Sequence, residues 1–441
     1  MKRLSMGAAC AALAMLAVGC GSSSTSGGSK TSAGSGASSF GVNAKGTVVF
    51  YQRAATNALA LALVPKFNAT HPGLKVKIVQ TSPNNDTSTL ATAIRAGHPP
   101  DLVGLNDVDV PEFTSEHTLM NLTPYVKALP QFSALSPGHL SLGNYQGQMY
   151  AAPYLADLSV LWYNKALFAK AHINGAPTTF AQMATDADAV QKLGLSGVHG
   201  VSFAGDCQGC LGFVMEPNLW ADKNYMIQGD LPKQSINIKG NDELTALMNA
   251  YHTMWKNGDA PANDQTDNGA TWGDDFATGK IGLYPGPYGK YPTFVKSGNI
   301  KDFGIAPLPG QNGGSGSTFD GGDDFVIPNG AKNASGAWEF VKWMLAAQQQ
   351  TQYPKYGYTP VVTTTLTPSF SKANPYDAVA LKALKTGYAP TTLIYDQAYN
   401  EPNSPWFKLF TDAVYNGDVT GGEATAQSGF EQLLTSTSSG Q

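Results

Sequence analysis

The chain has 441 residues, enough for two domains or one large two-lobed unit at roughly 100–200 residues per domain. Its hydrophobic fraction of 42% supplies sizeable cores, while a charged fraction of only 14%, with 48 glycines and 27 prolines, suits a loop-rich extracellular globular protein and not a disordered one. A net charge of −4, falling to −6 once Lys2 and Arg3 leave with a leader, argues against nucleic acid as a partner, and the three arginines (Arg3, Arg53, Arg95) leave few bidentate clamps for phosphate or carboxylate.

In chain order, Lys2 and Arg3 form a positive n-region ahead of an apolar core from Ala8 to Val18. That run is shorter than the about 20 residues a membrane span needs, so residues 1–19 are expected to be a signal peptide. Leu16-Ala17-Val18-Gly19-Cys20 resembles a bacterial lipobox, with Ala17 where leucine is usual and Leu16 one place earlier. The resemblance implies lipidation of Cys20 (palmitate among the acyl groups); the other reading is an ordinary signal peptide with Cys20 incidental. Residues 20–45, rich in Ser, Gly, Thr and Ala, would then be the lipid anchor and a flexible tether, since such a stretch buries too little apolar surface to order itself.

The folded part opens with an apolar strand, Thr47 to Tyr51. Leu59, Leu63 and Phe67 follow at helical spacing, although Pro65 is expected to kink or interrupt that helix. Leu74 to Gln80 alternates as a second strand, Thr89 to Gly97 reads as a helix stopped by its glycine, and Asp101 to Leu105 is a third strand. Strands alternating with helices predict a largely parallel, doubly wound sheet, with ligands beyond the carboxyl ends of its strands. Gln52, Arg53, Asn106 and Asp107 fall on that rim.

Further on, Thr179 and Gln182 have capping-box spacing at the start of a helix to about Leu193. Helices are also predicted over Leu244 to Trp255, along the Trp338, Val341, Leu345 stripe, over Phe407 to Tyr415 and over Ala424 to Leu434. Cys207 and Cys210 are the only cysteines after Cys20, and outside the membrane a Cys-x-x-Cys pair reads as a short structural disulfide, with no second pair to complete a zinc site. Asp264 to Asp275 partly fits a twelve-residue calcium loop, but Thr266 and Asp275 depart from it; the alternative is an ordinary polar loop. No fixed-period repeat, Gly-x-Ser-x-Gly elbow or His-Glu-x-x-His motif occurs, and the seven histidines are scattered.

Several segments, in order and in register, resemble the extracellular solute-binding proteins of ABC importers, family 1, the maltose-binding-protein-like group. They are Phe67 to Val76, Gly97 to Leu102, Leu119 to Tyr125, Tyr145 to Pro153, Leu161 to Phe168, Phe276 to Gly282, Gly304 to Pro309, Gly321-Gly322 and the Trp338 to Gln350 helix. The resemblance implies an α/β, two-lobed periplasmic-binding-protein-like fold with hinge strands and an interlobe ligand cleft. Crossings between lobes are expected near Pro153 to Leu158, Ser315 to Gly322 and Tyr356 to Val361. Residues 46–153 plus 321–357 would form the N-terminal lobe, and residues 154–320 plus 358–441 the C-terminal lobe. The implied role is an extracytoplasmic, lipid-anchored monomer that captures a carbohydrate, a di- or oligosaccharide, by lobe closure and hands it to an ABC permease. It implies no enzyme activity, cofactor, metal or nucleic acid, and membrane contact through the N-terminal anchor only.

A sugar site needs flat aromatic rings and bidentate polar side chains, and no nucleophile. The candidates are Gln52, Arg53, Asn106, Asp107, Tyr154, Trp220, Trp272, Tyr288, Gly321, Gly322, Asp323, Asp324 and Tyr356. Each has a plainer reading: the rings as packing, the aspartates as caps or turns. Arg53 either pairs with a cleft carboxylate or holds an anionic ligand such as a glycerophosphodiester; a polyol is a further ligand class. An extracellular glycosidase is the competing function, with Asp107 and Asp323 as a carboxylate pair.

Overall fold

The structure, a computed structural model, describes residues 39–82, 86–384 and 387–438. The leader, Cys20 and most of the tether lie outside the described residues. The last tether residues are not free of the fold, because Phe40 stacks on Tyr125 with ring centroids 4.2 Å apart.

β1 (Gly46–Arg53), β2 (Leu74–Thr81) and β3 (Leu102–Asn106) are all parallel, with β1 in the middle. Val48 and Phe50 of β1 are fully buried, Phe50 among Tyr154, Phe325 and Phe340. Between β1 and β2 runs α1 (Ala58–Thr70), which buries Leu59, Ala60, Leu63, Val64 and Phe67. Contrary to expectation, Pro65 lies inside this helix without ending it. Pro65 and Leu61, whose carbonyl the missing N–H would have bonded, are both on the exposed face. Water can take that carbonyl, while the buried stripe on the other side holds the helix to the sheet. α2 (Asp86–Arg95) begins three residues earlier than its apolar pattern suggests and ends ahead of Gly97 at φ +72°.

The sheet then departs from the doubly wound pattern. β4 (Ala151–Asn164) is 14 residues long and serves two sheet halves. Its first part, Ala151 to Leu158, pairs antiparallel with β8 (Asp320–Val326), which is itself antiparallel to β3. Its second part pairs antiparallel with β6 (Ile281–Pro287) and β7 (Phe303–Ala306), and β5 (His199–Val201) lies parallel on β6. The strand order is β2-β1-β3-β8-β4-β6-β5, with β7 also on β4. Only β1 to β3 and the β5–β6 pair follow the parallel expectation, because β4 and β8 run against their neighbours.

The segments expected to cross between lobes meet at one place. Gly321 pairs with Asp157 and Gly322 with Ala156, and Ala156 also forms a bridge with Thr359. Gly322 has φ +145°, and a Cβ there would lie 2.0 Å from the Leu155 carbonyl oxygen, so only glycine lets these backbones approach. The second half is built from α5 (Phe180–Gln191), α6 (Gln208–Trp220), α7 (Asp242–Lys256), α9 (Pro405–Phe410) and α10 (Val419–Ser438); α8 (Ala334–Met344) packs on β1 in the first half. Thr179 Oγ1 accepts the Gln182 N–H at 3.0 Å, and Gln182 reaches back to the N–H of Thr178 at 3.0 Å. Past α9 the chain continues as a π-helical turn through Tyr415. Among the described residues no helix is long and apolar enough to cross a membrane.

Candidate functional site

The carboxyl ends of β1 and β3 and the start of β8 bring polar groups together where the two halves meet. Gln52 is fully buried and its amide donates to the Arg53 carbonyl and to Thr56 Oγ1, both at 3.1 Å. Arg53 Nε lies 2.7 Å from Asp86 Oδ2, and one terminal nitrogen lies 2.6 Å from Asp323 Oδ1. The Thr56 hydroxyl donates to the other Asp323 oxygen. Burial works against the guanidinium charge, but Asp323 and Asp86 more than offset it, so Arg53 stays protonated. Of its two readings, the structure has the pairing one. Asn106, half-buried at the end of β3, is in register with Asp323.

A second cluster surrounds His139, in the short helix α4 (Pro137–Leu142). Its Nδ1 is 2.9 Å from Asp324 Oδ1 and 3.9 Å from Asp107 Oδ2, and its Nε2 is 3.9 Å from Asp320 Oδ1. All four side chains are buried. Burial opposes the imidazolium, yet Asp324, Asp320 and Asp107 push the His139 pKa up to about 10. Asp324 is therefore committed to an internal ion pair. Asp107 divides its carboxylate between the Val108 N–H, at 2.8 Å, and this histidine. His139 was not among the sequence candidates, and no local signal singles it out, since its partner lies 185 residues away.

The rings separate into two groups. Tyr154 is 0% exposed, stacked on Phe325 at 4.0 Å, inside the first half. Tyr288 is likewise 0% exposed, between Trp162 and Tyr291, and Trp272 lies edge-on to Tyr284 at 5.7 Å. With no exposed surface, Tyr154 and Tyr288 are core residues, and the expectation that they line the cleft is corrected. Tyr356 is half-buried with Lys355 Nζ 5.8 Å from its centroid. Trp220 ends α6 and is not in a loop; it packs against Phe319 and Tyr388 in a cluster that includes Phe213 and Tyr395, the latter stacked on Tyr399 at 4.7 Å. Burial and then Glu216, Asp107 and Asp109 hold the Tyr395 phenol well above its usual range, which sets this cluster against the aspartates after β3.

Two carboxylates absent from the sequence candidates complete the junction. Asp109, just after β3, is 4% exposed, and its Oδ1 has no hydrogen-bond partner. Asp157 of β4 accepts the Gly289 N–H at 3.1 Å, and burial pushes its pKa up to about 7. Elsewhere, Cys207 and Cys210 form a disulfide at the entry to α6. The Asp264 carboxylate accepts the Phe203 N–H at 2.9 Å and Asp267 accepts the Gly269 N–H at 2.9 Å, so two of the four acids of the suspected calcium loop serve backbone N–H groups. Among the described residues no group of three or more His, Cys, Asp or Glu side chains is arranged to hold a metal. An open groove of about 600 Å³ along α2, lined by Tyr51, Ser88 and Thr92 among others, holds none of these carboxylates.

The profile of a family described as bacterial extracellular solute-binding protein matches residues 62–380. A maltooligosaccharide ABC transporter solute-binding lipoprotein of Streptococcus pneumoniae is 28% identical over 212 residues, 46% of this chain and 47% of that protein. The chain thus spans about half the length of that relative. The diacetylchitobiose binding protein DasA of Streptomyces coelicolor is 24% identical over 354 residues, 78% of this chain and 79% of that one. In fold, the chain is similar to the sugar-binding protein MalE of Xanthomonas citri, with TM-score 0.76 and 20% identity over 89% of this chain and 98% of that one. It is also similar to the GacH receptor of Streptomyces glaucescens, with TM-score 0.73 and 21% identity over 89% and 99%.

Proposed function

The chain belongs to the bacterial extracellular solute-binding protein family, and from that premise we propose that it captures a di- or oligosaccharide between two lobes and delivers it to an ABC importer permease. Residues 46–153 plus 321–357 form one lobe in this reading and residues 154–320 plus 358–441 the other. Cys20 carries the lipid anchor, and the protein works as a monomer on the extracytoplasmic face of the membrane. The observation that carries the reading is the junction itself. Crossing backbones meet at Ala156, and the charges of Asp107 and Asp109, just after β3, reach Tyr395 in the ring cluster that includes Trp220 and Tyr388. Carboxylates accept sugar hydroxyls, and rings cover the apolar faces of the sugar. Contacts on both sides favour closure, which shifts a hinge equilibrium.

A phosphodiester ligand is disfavoured, because the Arg53 guanidinium is already bonded to Asp86 and Asp323. Hydrolysis is disfavoured because the relatives are named as binding proteins and Asp323 is held by Arg53 and Thr56. The test is calorimetry against a panel of oligosaccharides, with scattering to read compaction and chromatography to read the sugar afterwards. Binding with an unchanged sugar is expected, with roughly 2.7 kcal/mol of added stability at about 100 times Kd. Release of monosaccharide, or no compaction with any carbohydrate, overturns the reading.

A further inference from the structure

At the junction a buried donor and a buried acceptor stand close together without bonding. Among the described residues His139 Nε2 and Asp320 Oδ1 have no hydrogen-bond partner, and they lie 3.9 Å apart. That is about 1 Å beyond bonding distance. The imidazole is charged near neutrality, so Nε2 carries a proton to donate. Buried polar groups are nearly always paired, and leaving a charged pair unbonded is costly.

The two partners are tied to different halves. His139 Nδ1 lies 2.9 Å from Asp324 Oδ1, and Asp324 is in register with Leu105 of β3, so this ion pair belongs to the first half. Asp320 begins β8 at the crossing, and its N–H donates to the Tyr388 carbonyl at 3.0 Å. Tyr388 in turn packs edge-on against Trp220 of α6, in the second half. Gly321 and Gly322 stand between Asp320 and Asp324, so the two ends of the stretch can turn relative to one another. Space for the Asp320 carboxylate beside the histidine comes from Gly138, where a Cβ would lie 2.0 Å from Asp320 Oδ2. That oxygen has only a long contact, 3.5 Å, from the Ser136 hydroxyl.

We propose that His139 and Asp320 form a latch across the hinge, unmade in the present arrangement and bonded in the other arrangement of the two halves, so that the pair sets the hinge population of the unliganded protein. This rests on the two-lobed reading above. Rotation of the second half carries Asp320 along with Tyr388, while Asp324 keeps the imidazole in place. A shift of about 1 Å then completes the bond. His139 is 0% exposed, so it is a positioning residue and not a solute contact. The charged groups facing the pair are Asp324, from the same strand as Asp320, and Asp107, between β3 and α3 (Val110–Ser115). β4 sets Leu158 opposite Asp320, and the Tyr388 segment meets it through its backbone. Burial lifts Asp320 to about 6 against the pull of His139, so acidification below that value weakens the latch and favours the present arrangement.

The experiment is small-angle X-ray scattering of the unliganded protein, fitted as a mixture of two arrangements, with thermal melts to verify folding. Asp320→Ala removes the acceptor and should shift the population about tenfold towards the present arrangement, the scale of one charge-assisted hydrogen bond. Asp320→Asn keeps an acceptor oxygen and should recover part of that shift. The wild-type protein should show the same shift as pH falls through about 6, and Asp320→Ala should not; the wild-type arm stands even where a variant does not fold. A folded Asp320→Ala whose melting temperature drops while its scattering matches wild type assigns the pair to packing alone and overturns the proposal. An asparagine variant displaced as far as the alanine one, or wild-type scattering that ignores this pH range, overturns it too. The oligosaccharide panel judges the solute reading separately: a failed latch leaves that reading standing, and a panel without a binder leaves the unliganded scattering to decide the latch.

Discussion

Replacing His139 by glutamine removes the one positive charge around which Asp107, Asp320 and Asp324 are packed. Taking away one partner of a buried ion pair costs about 3–5 kcal/mol, because the remaining charge is left in a poor dielectric. Some of the strain is relieved when the acids take up protons, and burial already lifts Asp320 to about 6. A loss near 4 kcal/mol, set against an unfolding entropy of roughly 2.1 cal/mol/K per residue, lowers the melting temperature of a folded part this size by about 5 °C. The pH dependence is the sharper signature. The His139 pKa rises on folding from 6.5 to about 10, so its stabilisation is fully present below the unfolded value and is lost as pH climbs through the folded one. Wild-type stability should therefore fall across that window, at up to about 1.4 kcal/mol per pH unit. The His139→Gln variant lacks this decline, so the two curves converge towards alkaline pH. Urea unfolding at several pH values measures both, and a His139→Gln, Asp324→Asn double variant should recover part of the loss. A variant as stable as wild type near neutrality, or a gap that does not change with pH, would refute the charged-imidazole account.

Gly322→Ala sets a Cβ 2.0 Å from the Leu155 carbonyl at a φ of +145°, so a loss of about 3 kcal/mol or more in urea melts is expected, together with weakened solute binding. Glu216 is buried, accepts the Tyr399 hydroxyl at 2.7 Å, and has its pKa raised by burial from 4.5 to about 8. Native Glu216 holds its proton where the unfolded side chain has lost it, so stability declines as pH rises between those values; Glu216→Gln should flatten that decline in denaturation curves and stabilise the protein above it. The Cys207–Cys210 bridge closes a loop with a sequence separation of only 3, so reduction or a double serine variant should cost about 2 kcal/mol, read as a small fall in melting temperature with solute binding retained.

Local patterns carried a large part of the architecture. The β1 run, the alternation of β2, the stripe of α1 and the Thr179 cap depend on neighbours within one strand or turn, and a linear reading recovers them. Composition and the ordered segments from Phe67 to the Trp338 helix led to the family. Arg53, Asp107 and Asp323 were legible as junction residues because they end strands or adjoin the Gly321-Gly322 pair.

What stayed hidden depends on contacts between distant segments. A tyrosine after a proline and a tyrosine after Gly286-Pro287 look alike whether they face solvent or core, and only packing against Phe325 and Trp162 turned Tyr154 and Tyr288 inward. Asp324 and His139 are 185 positions apart, and Arg53 and Asp323 are 270 apart. Periodicity along the chain therefore foreshadowed an α/β fold, and the resemblance of its ordered segments pointed to the solute-binding family. The tertiary structure alone decided which carboxylates are neutralised and which are left bare, because charge pairing depends on distance in space and on the water excluded around it.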